Sequence, residues 1–223
     1  MKNSICAVFD VDDTLYLERD YVSSGFEVVG SWAKDWLQIT DFAERCWSKF
    51  TSGRRTSIFD EVLNDSGRTA EPELVAALVE LYRTHVPRIS LAPDASKALE
   101  AISRDVAIAI ISDGPVASQS RKVEKLGLRS FAAPIILTEV LGSGFRKPHP
   151  RAFEYVRSCR PADLYLYVAD NPAKDFAAPK GLGWMTVRVR RPNGLHSEVD
   201  NASITPDFEM SDCSMLPKLL ARM

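Results

Sequence analysis

Residues 5–16 read ICAVFDVDDTLY: five apolar positions, then Asp10, Asp12 and Asp13 within four residues. Ile5 to Phe9 has the composition of a strand buried on both faces. Carboxylates crowded at its end repel one another, and each raises its neighbour's pKa. A solvated strand end tolerates this through screening by water. A buried cleft tolerates it only with a cation present. The rest of the chain decides between these two settings.

After this segment the texture becomes helical from residue 20 to 87. Val22, Phe26, Val29, Ala33, Trp36 and Leu37 recur at the spacing of one helix face. Thr56 or Ser57 offers an N-cap to the next helix and Gly67 a stop, while Pro72 suits the first turn of another and Pro87 lies just beyond its end. From about residue 90, helix and strand alternate. A helix opened by Pro93 leads to the strand VAIAII at 106–111, and Pro115 and Gly127 bracket the next helix. Strands follow at PIILT, LYLYVAD and WMTVRVR, with helices at 150–159 and 173–180 and a last strand–helix pair at PDFEM and SMLPKLLARM. Near-continuous apolar strands alternating with helices define an α/β fold, a Rossmann-like parallel sheet with helices on both faces and an inserted α-helical cap domain. The expected division is a core at 1–16 and 89–223 and a cap at 17–88. The stretch RPNGLHSEVDNAS at 191–203 reads as an ordinary surface loop.

Composition narrows the class. The 223 residues are 45% hydrophobic and 26% charged, as in soluble globular proteins. Lys and Arg total 28 against 30 for Asp and Glu, a net charge of −2, so no basic excess points to nucleic acid. The apolar runs are too short for a membrane span or a signal-peptide core. Cys6, Cys46, Cys159 and Cys213 are scattered without metal-ligand spacing, which reads as reduced thiols. The expectation is a soluble, cytoplasmic protein with neither a membrane nor a nucleic-acid partner.

Polar residues collect at the predicted strand ends, where open parallel sheets bind ligands. The first strand ends in Asp10, Asp12, Asp13 and Thr14, and VAIAII ends in Ser112, Asp113 and Gly114. LYLYVA ends in Asp170, with Asp175 five residues on, and Lys147 precedes a helix that Pro150 helps to start. This set suits phosphoryl transfer. A carboxylate acts as nucleophile, and a hydroxyl and an ammonium hold the phosphoryl oxygens as charge develops. Mg²⁺ takes carboxylate and carbonyl oxygens together with the phosphate.

With these residues in order, the chain resembles the haloacid dehalogenase-like hydrolase superfamily in its phosphatase branch, with a cap of the family's first, α-helical type. The motifs that carry the resemblance are Asp10-x-Asp12-x-Thr14, Ser112 closing an apolar strand, Lys147 ahead of a helix, and Asp170-x-x-x-x-Asp175. The resemblance implies a Mg²⁺-dependent phosphatase acting through an aspartyl-phosphate. Asp10 is then the nucleophile and Asp12 the general acid–base, a role that needs a proton-bearing carboxyl and toward which crowding by Asp10 pushes its pKa. Ser112 and Lys147 bind the transferring phosphoryl group. Asp10, Asp170 and Asp175 serve the metal, with the backbone carbonyl of Asp12, and Thr14, Asp113 and Gly114 join the substrate-binding set. Asp13 is left a capping or hydrogen-bonding part in the loop.

Asp12 argues against dehalogenation, which needs no leaving-group proton. Lys34 and Lys49 lack a context for the Schiff base of a phosphonate-cleaving enzyme. A sugar phosphomutase, or a non-catalytic scaffold or binding member, stands as the alternative. In the cap, Arg54 and Arg55 follow Gly53 in a turn and are candidates to hold a carboxylate or second phosphate. Glu18, Arg19 and Tyr21 flank the cap's opening, Arg146 adds positive potential beside Lys147, and His85 suits a helix C-terminus. The expected partner is a small phosphorylated metabolite (a sugar phosphate, nucleotide or phospho-acid), and the expected state is monomer or homodimer.

Overall fold

The computed structural model describes residues 4–142, 144–199 and 204–223. Two compact units emerge, one of Met1–Arg19 with Ile89–Met223, the other Asp20–Arg88. Along the chain come β1 (Ile5–Phe9), α1 (Glu18–Leu37), α2 (Phe42–Thr51), α3 (Ile58–Asp65), α4 (Pro72–Thr84) and α5 (Pro93–Ile102). Then follow β2 (Ala107–Ser112), α6 (Val116–Lys125), β3 (Ile135–Leu137), α7 (Arg151–Cys159) and β4 (Leu164–Ala169). The chain ends with α8 (Ala177–Gly181), β5 (Met185–Val189), β6 (Phe208–Met210) and α9 (Leu216–Leu220).

In the first unit the strands form one parallel sheet in the order β3-β2-β1-β4-β5-β6. Successive side chains of a strand point to opposite faces. In β1 every residue is buried, so both faces are covered and the whole run must be apolar. On one face Val8, Ile111 and Tyr167 pack with Phe153 and Trp184. From β1 the sheet grows to β2 and β3 on one side and to β4, β5 and β6 on the other. The crevice at the carboxyl ends of β1 and β4 is therefore the topological switch point, where such sheets place their ligands. The Asp10 N–H donates to the Val168 carbonyl at 2.9 Å, which extends the β1–β4 pairing to the first motif residue.

Two expectations change here. PIILT shrinks to a three-residue edge strand, because the chain turns into a 3₁₀ segment at Thr138–Leu141. The stretch from 191 is not an ordinary surface loop. Arg191 is buried and grips Asp94 through two hydrogen bonds of 2.9 and 2.7 Å, while its Nε donates to the Thr14 carbonyl at 2.9 Å. Arg188 donates to the carbonyls of His196 and Val199, and the Leu195 N–H donates to Asp13. Residues 200–203 of that stretch lie outside the described residues.

The second unit is helical. Val22, Phe26, Val29 and Ala33 of α1 are buried, but Trp36 is 72% exposed and stacks on Trp32 instead of joining their face. Aromatic rings fill the interior: Phe26 meets Phe50, Phe59 and Tyr82, largely edge to face. A Cβ at Gly25 would sit 2.5 Å from the Tyr82 ring, so that approach of α1 to α4 requires glycine. His85 closes α4, with Nδ1 against the Tyr82 carbonyl at 2.6 Å and Nε2 against Ser24 Oγ at 2.7 Å. Ser57 precedes α3 with φ +55, and no cap hydrogen bond comes from its side chain.

Candidate active site

The end of β1 turns sharply. Asp13 takes φ +51, and the Leu15 N–H donates back to the Val11 carbonyl at 2.9 Å. The Asp13 carboxylate is buried and spent on the loop, accepting from the N–H groups of Glu18 at 2.9 Å and Leu195 at 2.8 Å. Thr14 is fully buried. Its hydroxyl has no partner among the described residues, and what it offers is the carbonyl that Arg191 grips. The Thr14 carbonyl thus has a structural part, tying the loop to Arg191.

Asp10 and Asp12 lie two positions apart yet have separate surroundings. Asp10 Oδ1 accepts from Lys147 Nζ at 2.7 Å, and the same ammonium pairs with Asp175 at 2.7 Å. Tyr167 completes the knot: its hydroxyl accepts from Lys147 at 3.0 Å and donates to Asp175 at 3.1 Å. The other oxygen of Asp175 accepts the Asn171 N–H at 3.1 Å. Burial pushes Asp10 up, Lys147 opposes and Asp175 adds to the rise, leaving it at about 6. Burial also penalises the charge on Asp175, but Lys147 and Lys174 outweigh it and hold that carboxyl below its usual range.

Asp170, at the end of β4, is buried beside this pair, and among the described residues no donor reaches its carboxylate. Burial and the charges of Asp175 and Asp10 push it well above the ordinary range. Asp10, Asp170 and Asp175 each offer an oxygen within 4.8 Å of the others. Three hard oxygen donors, one of them unpaired and unwilling to ionise alone, fit a hard divalent cation such as Mg²⁺. That is the buried-cleft setting of the opening problem.

Asp12 faces elsewhere. Oδ1 accepts from Lys122 Nζ at 2.6 Å and from the Tyr16 hydroxyl, and Oδ2 accepts from Gln119 Nε2 at 3.1 Å. The expected upward shift is reversed. Burial does work against the charge, but Lys122, Tyr16 and Gln119 together hold Asp12 below its ordinary range. Crowding by Asp10 is weaker than this local set of donors.

Ser112 is fully buried and donates to Gln119 Oε1 at 2.9 Å. Asp113 accepts from Thr138 Oγ1 at 2.6 Å and from the Lys147 N–H at 3.2 Å, and it lies 3.6 Å from Lys174. Its carboxylate fixes the Lys147 loop to the end of β2. Gly114 has φ +137, and a Cβ there would meet Gln119 Nε2 at 2.6 Å. Arg54 and Arg55 belong to the second unit. Arg54 pairs with Glu61 at 3.0 Å, while Arg55 donates to the Phe50 carbonyl and lies over that ring at 4.4 Å.

The structure thus gathers Asp10, Lys147, Asp170 and Asp175 into one cluster and links Asp12 to Ser112 through Gln119. Sequence reading missed Gln119, Lys122, Lys174 and Tyr167. A signal existed in α6. Turning Val123 toward the sheet brings Gln119 and Lys122 to the same side, and a lysine on a buried helix face is rare without a partner.

Comparison with known proteins identifies the family. The pattern of the haloacid dehalogenase-like hydrolases matches residues 6–183, and the chain belongs to that family. A glyceraldehyde 3-phosphate phosphatase of Methanopyrus kandleri is 28% identical over 220 residues, which cover 91% of each chain. A phosphoserine phosphatase of Thermus thermophilus is 29% identical over 196 residues, covering 86% of this chain and 68% of that one. The HAD-hydrolase YfnB of Bacillus subtilis, solved bound to magnesium, shares the fold with a TM-score of 0.70 at 20% identity, over 98% of this chain and 99% of that one.

Proposed function

We propose that the chain is a Mg²⁺-dependent phosphatase that hydrolyses a small phosphorylated metabolite through an aspartyl-phosphate on Asp10. The observation that carries this reading is the ammonium of Lys147 held between Asp10 and Asp175, with the unpaired carboxylate of Asp170 beside them. A phosphate monoester brought there meets a fixed cation, a nucleophile and a metal-binding face together.

In the first half-reaction an Asp10 oxygen attacks phosphorus. The bond from phosphorus to the leaving oxygen breaks, and its electron pair stays on that oxygen, which takes a proton from Asp12. In the second, water attacks phosphorus and gives a proton to Asp12, and the bond to Asp10 breaks to restore the carboxylate and free inorganic phosphate. The resting, ionised Asp12 suits the second half. For the first it must be protonated, and a phosphate dianion arriving beside it favours that form. Ser112, Lys147 and the backbone at Asp113 and Gly114 hold the phosphoryl oxygens. Mg²⁺ bound by Asp10, Asp170 and Asp175, with the Asp12 carbonyl, supplies positive charge to those oxygens.

The second unit, with Arg54 and Arg55, is assigned the choice of substrate. The substrates named for the two relatives are both three-carbon monoesters, which supports a small metabolite. A cytoplasmic setting belongs to the same reading, since the four cysteines are unbridged.

The test is release of para-nitrophenolate from its phosphate ester with Mg²⁺, with chelator, and with Asp10→Asn. Turnover lost in both controls is the expected result. Full turnover in Asp10→Asn, or a wild type that neither turns over nor traps beryllofluoride at Asp10, overturns the proposal.

A further inference from the structure

The donors around Asp12 come from α6 and from the loop itself, and they are unevenly shared between its two oxygens. Lys122 and Tyr16 both give to Oδ1, and Gln119 alone gives to Oδ2. A carboxylate offers about four acceptor sites, two on each oxygen. Three donors therefore fill Oδ1 and leave one site on Oδ2. Gln119 and Lys122 lie one helical turn apart and are both almost fully buried, so neither is a mobile surface group. Gln119 is itself fixed: its Oε1 accepts from Ser112 Oγ at 2.9 Å, and its amide packs so closely on Gly114 that a Cβ there would come within 2.6 Å of Nε2.

We propose that Gln119 and Lys122 are positioning residues that lock the Asp12 carboxylate so that Oδ2 is the oxygen that exchanges the proton. Lys122 and Tyr16 saturate Oδ1 and fix the rotation of the group. Gln119 ties Oδ2 to the Ser112 hydroxyl, so the proton donor and one phosphoryl-binding group keep a constant separation. This inference rests on the proposed phosphatase reaction and adds to it the two residues that aim its general acid–base.

The experiment separates aiming from folding by using two leaving groups. Nitrophenolate departs without a proton, whereas an alkoxide needs one. Wild type, Lys122→Met, Lys122→Arg and Gln119→Met are assayed with para-nitrophenyl phosphate and with glycerol 2-phosphate in Mg²⁺. With the alkyl ester, Lys122→Met and Gln119→Met are expected to lose roughly 10²-fold in kcat, with KM changed by less than about twofold. With the aryl ester, Asp10 is still phosphorylated, and about one equivalent of nitrophenolate per site appears in a rapid burst. Slow steady turnover follows, because water attack awaits Asp12. Lys122→Arg restores part of the rate.

An equal loss in burst and steady phases with both esters, or no loss at all, overturns the inference. If Lys122→Met does not fold, the neutral Gln119→Met exchange decides by the same two readouts. Absence of Asp10-dependent turnover in the wild type is a separate outcome: it defeats the phosphatase reading first, and this inference with it.

Discussion

The two units treat charge in opposite ways. In the first, Asp10, Asp13, Lys122, Lys147, Asp170 and Asp175 are buried, and those that are paired are joined at 2.6–3.1 Å. In the second, Ser24 and His85 are the buried polar residues among those described, and the ion pairs lie outside. Lys49 with Asp65, Arg54 with Glu61 and Arg45 with Asp41 have side chains 24–59% exposed. A buried charge costs several kcal/mol to desolvate, and hydrophobic replacement often stabilises, so folding alone does not select for it. The exposed pairs cost little and contribute little. The contrast supports placing the proposed chemistry in the first unit, and it can be broken in graded steps.

The largest effect is expected from Lys147→Met. It removes the ammonium shared by Asp10 and Asp175 and leaves two carboxylates buried without their cation. Breaking a buried pair in this way costs about 3–5 kcal/mol, or roughly 10 °C in Tm for a chain of this length. Turnover should fall below detection. A melt shifted by less than about 2 °C would show that the knot is not structural.

Next comes the metal. A cation that binds only the folded state raises Tm, by the equivalent of about 2.7 kcal/mol at a hundred times its Kd. Wild type should melt higher in Mg²⁺ than in chelator, and Asp170→Asn should erase most of that difference. A gain retained in Asp170→Asn would place the ion elsewhere.

A smaller effect is expected where Arg191 joins Asp94 to the Thr14 carbonyl. Arg191→Met should cost about 2 kcal/mol, the range of a lost charge-assisted hydrogen bond. Burial opposes the Asp94 charge, but the Arg191 hydrogen bond and the Cys213 N–H hold its pKa below the ordinary value. A depressed folded pKa gives stability that is present above the unfolded value, near 4, and lost as pH falls through the folded one. Acid melts of Asp94→Asn should therefore be flatter below about pH 4 than those of wild type. Parallel curves would rule out this pair as the source of the acid sensitivity.

How much of this was legible follows from the same contrast. The strands and the placing of Asp10 and Asp170 are carried by local text, an apolar run and then a polar residue at its carboxyl end, whereas Lys147 and Asp175 come from the family's motifs and the strand order comes from the structure. Periodicity could not separate Trp36 from the face it nominally shares with Val22 and Phe26, because spacing fixes a helix face and not where that face stops meeting neighbours. Arg191 sits in a stretch rich in turn residues, and its partner Asp94 is far away in sequence, so nothing local marks it as buried. The pKa of Asp12 was misjudged for a related reason. Its neighbours in sequence are acidic, while Lys122 and Gln119 come from α6 more than a hundred positions away.

The smallest effect is expected in the second unit, and it sharpens the comparison most. Glu61 accepts both Lys49 at 3.1 Å and Arg54 at 3.0 Å, yet all three side chains keep contact with water. Glu61→Gln should therefore change stability by less than about 1 kcal/mol, and less again at high salt. Freed from Glu61, Arg54 would be more available to a substrate anion. If Arg54 and Arg55 select an anionic metabolite, Glu61→Gln leaves KM unchanged or lowers it, whereas Arg54→Ala raises KM for a substrate carrying a carboxylate and leaves para-nitrophenyl phosphate unaffected. The two variants break the same ion pair, so a stability role would move both alike. Opposite shifts in KM with matching melts would assign Arg54 to recognition. Equal KM values would return the turn to the ordinary surface and leave the proposed choice of substrate by the second unit without support.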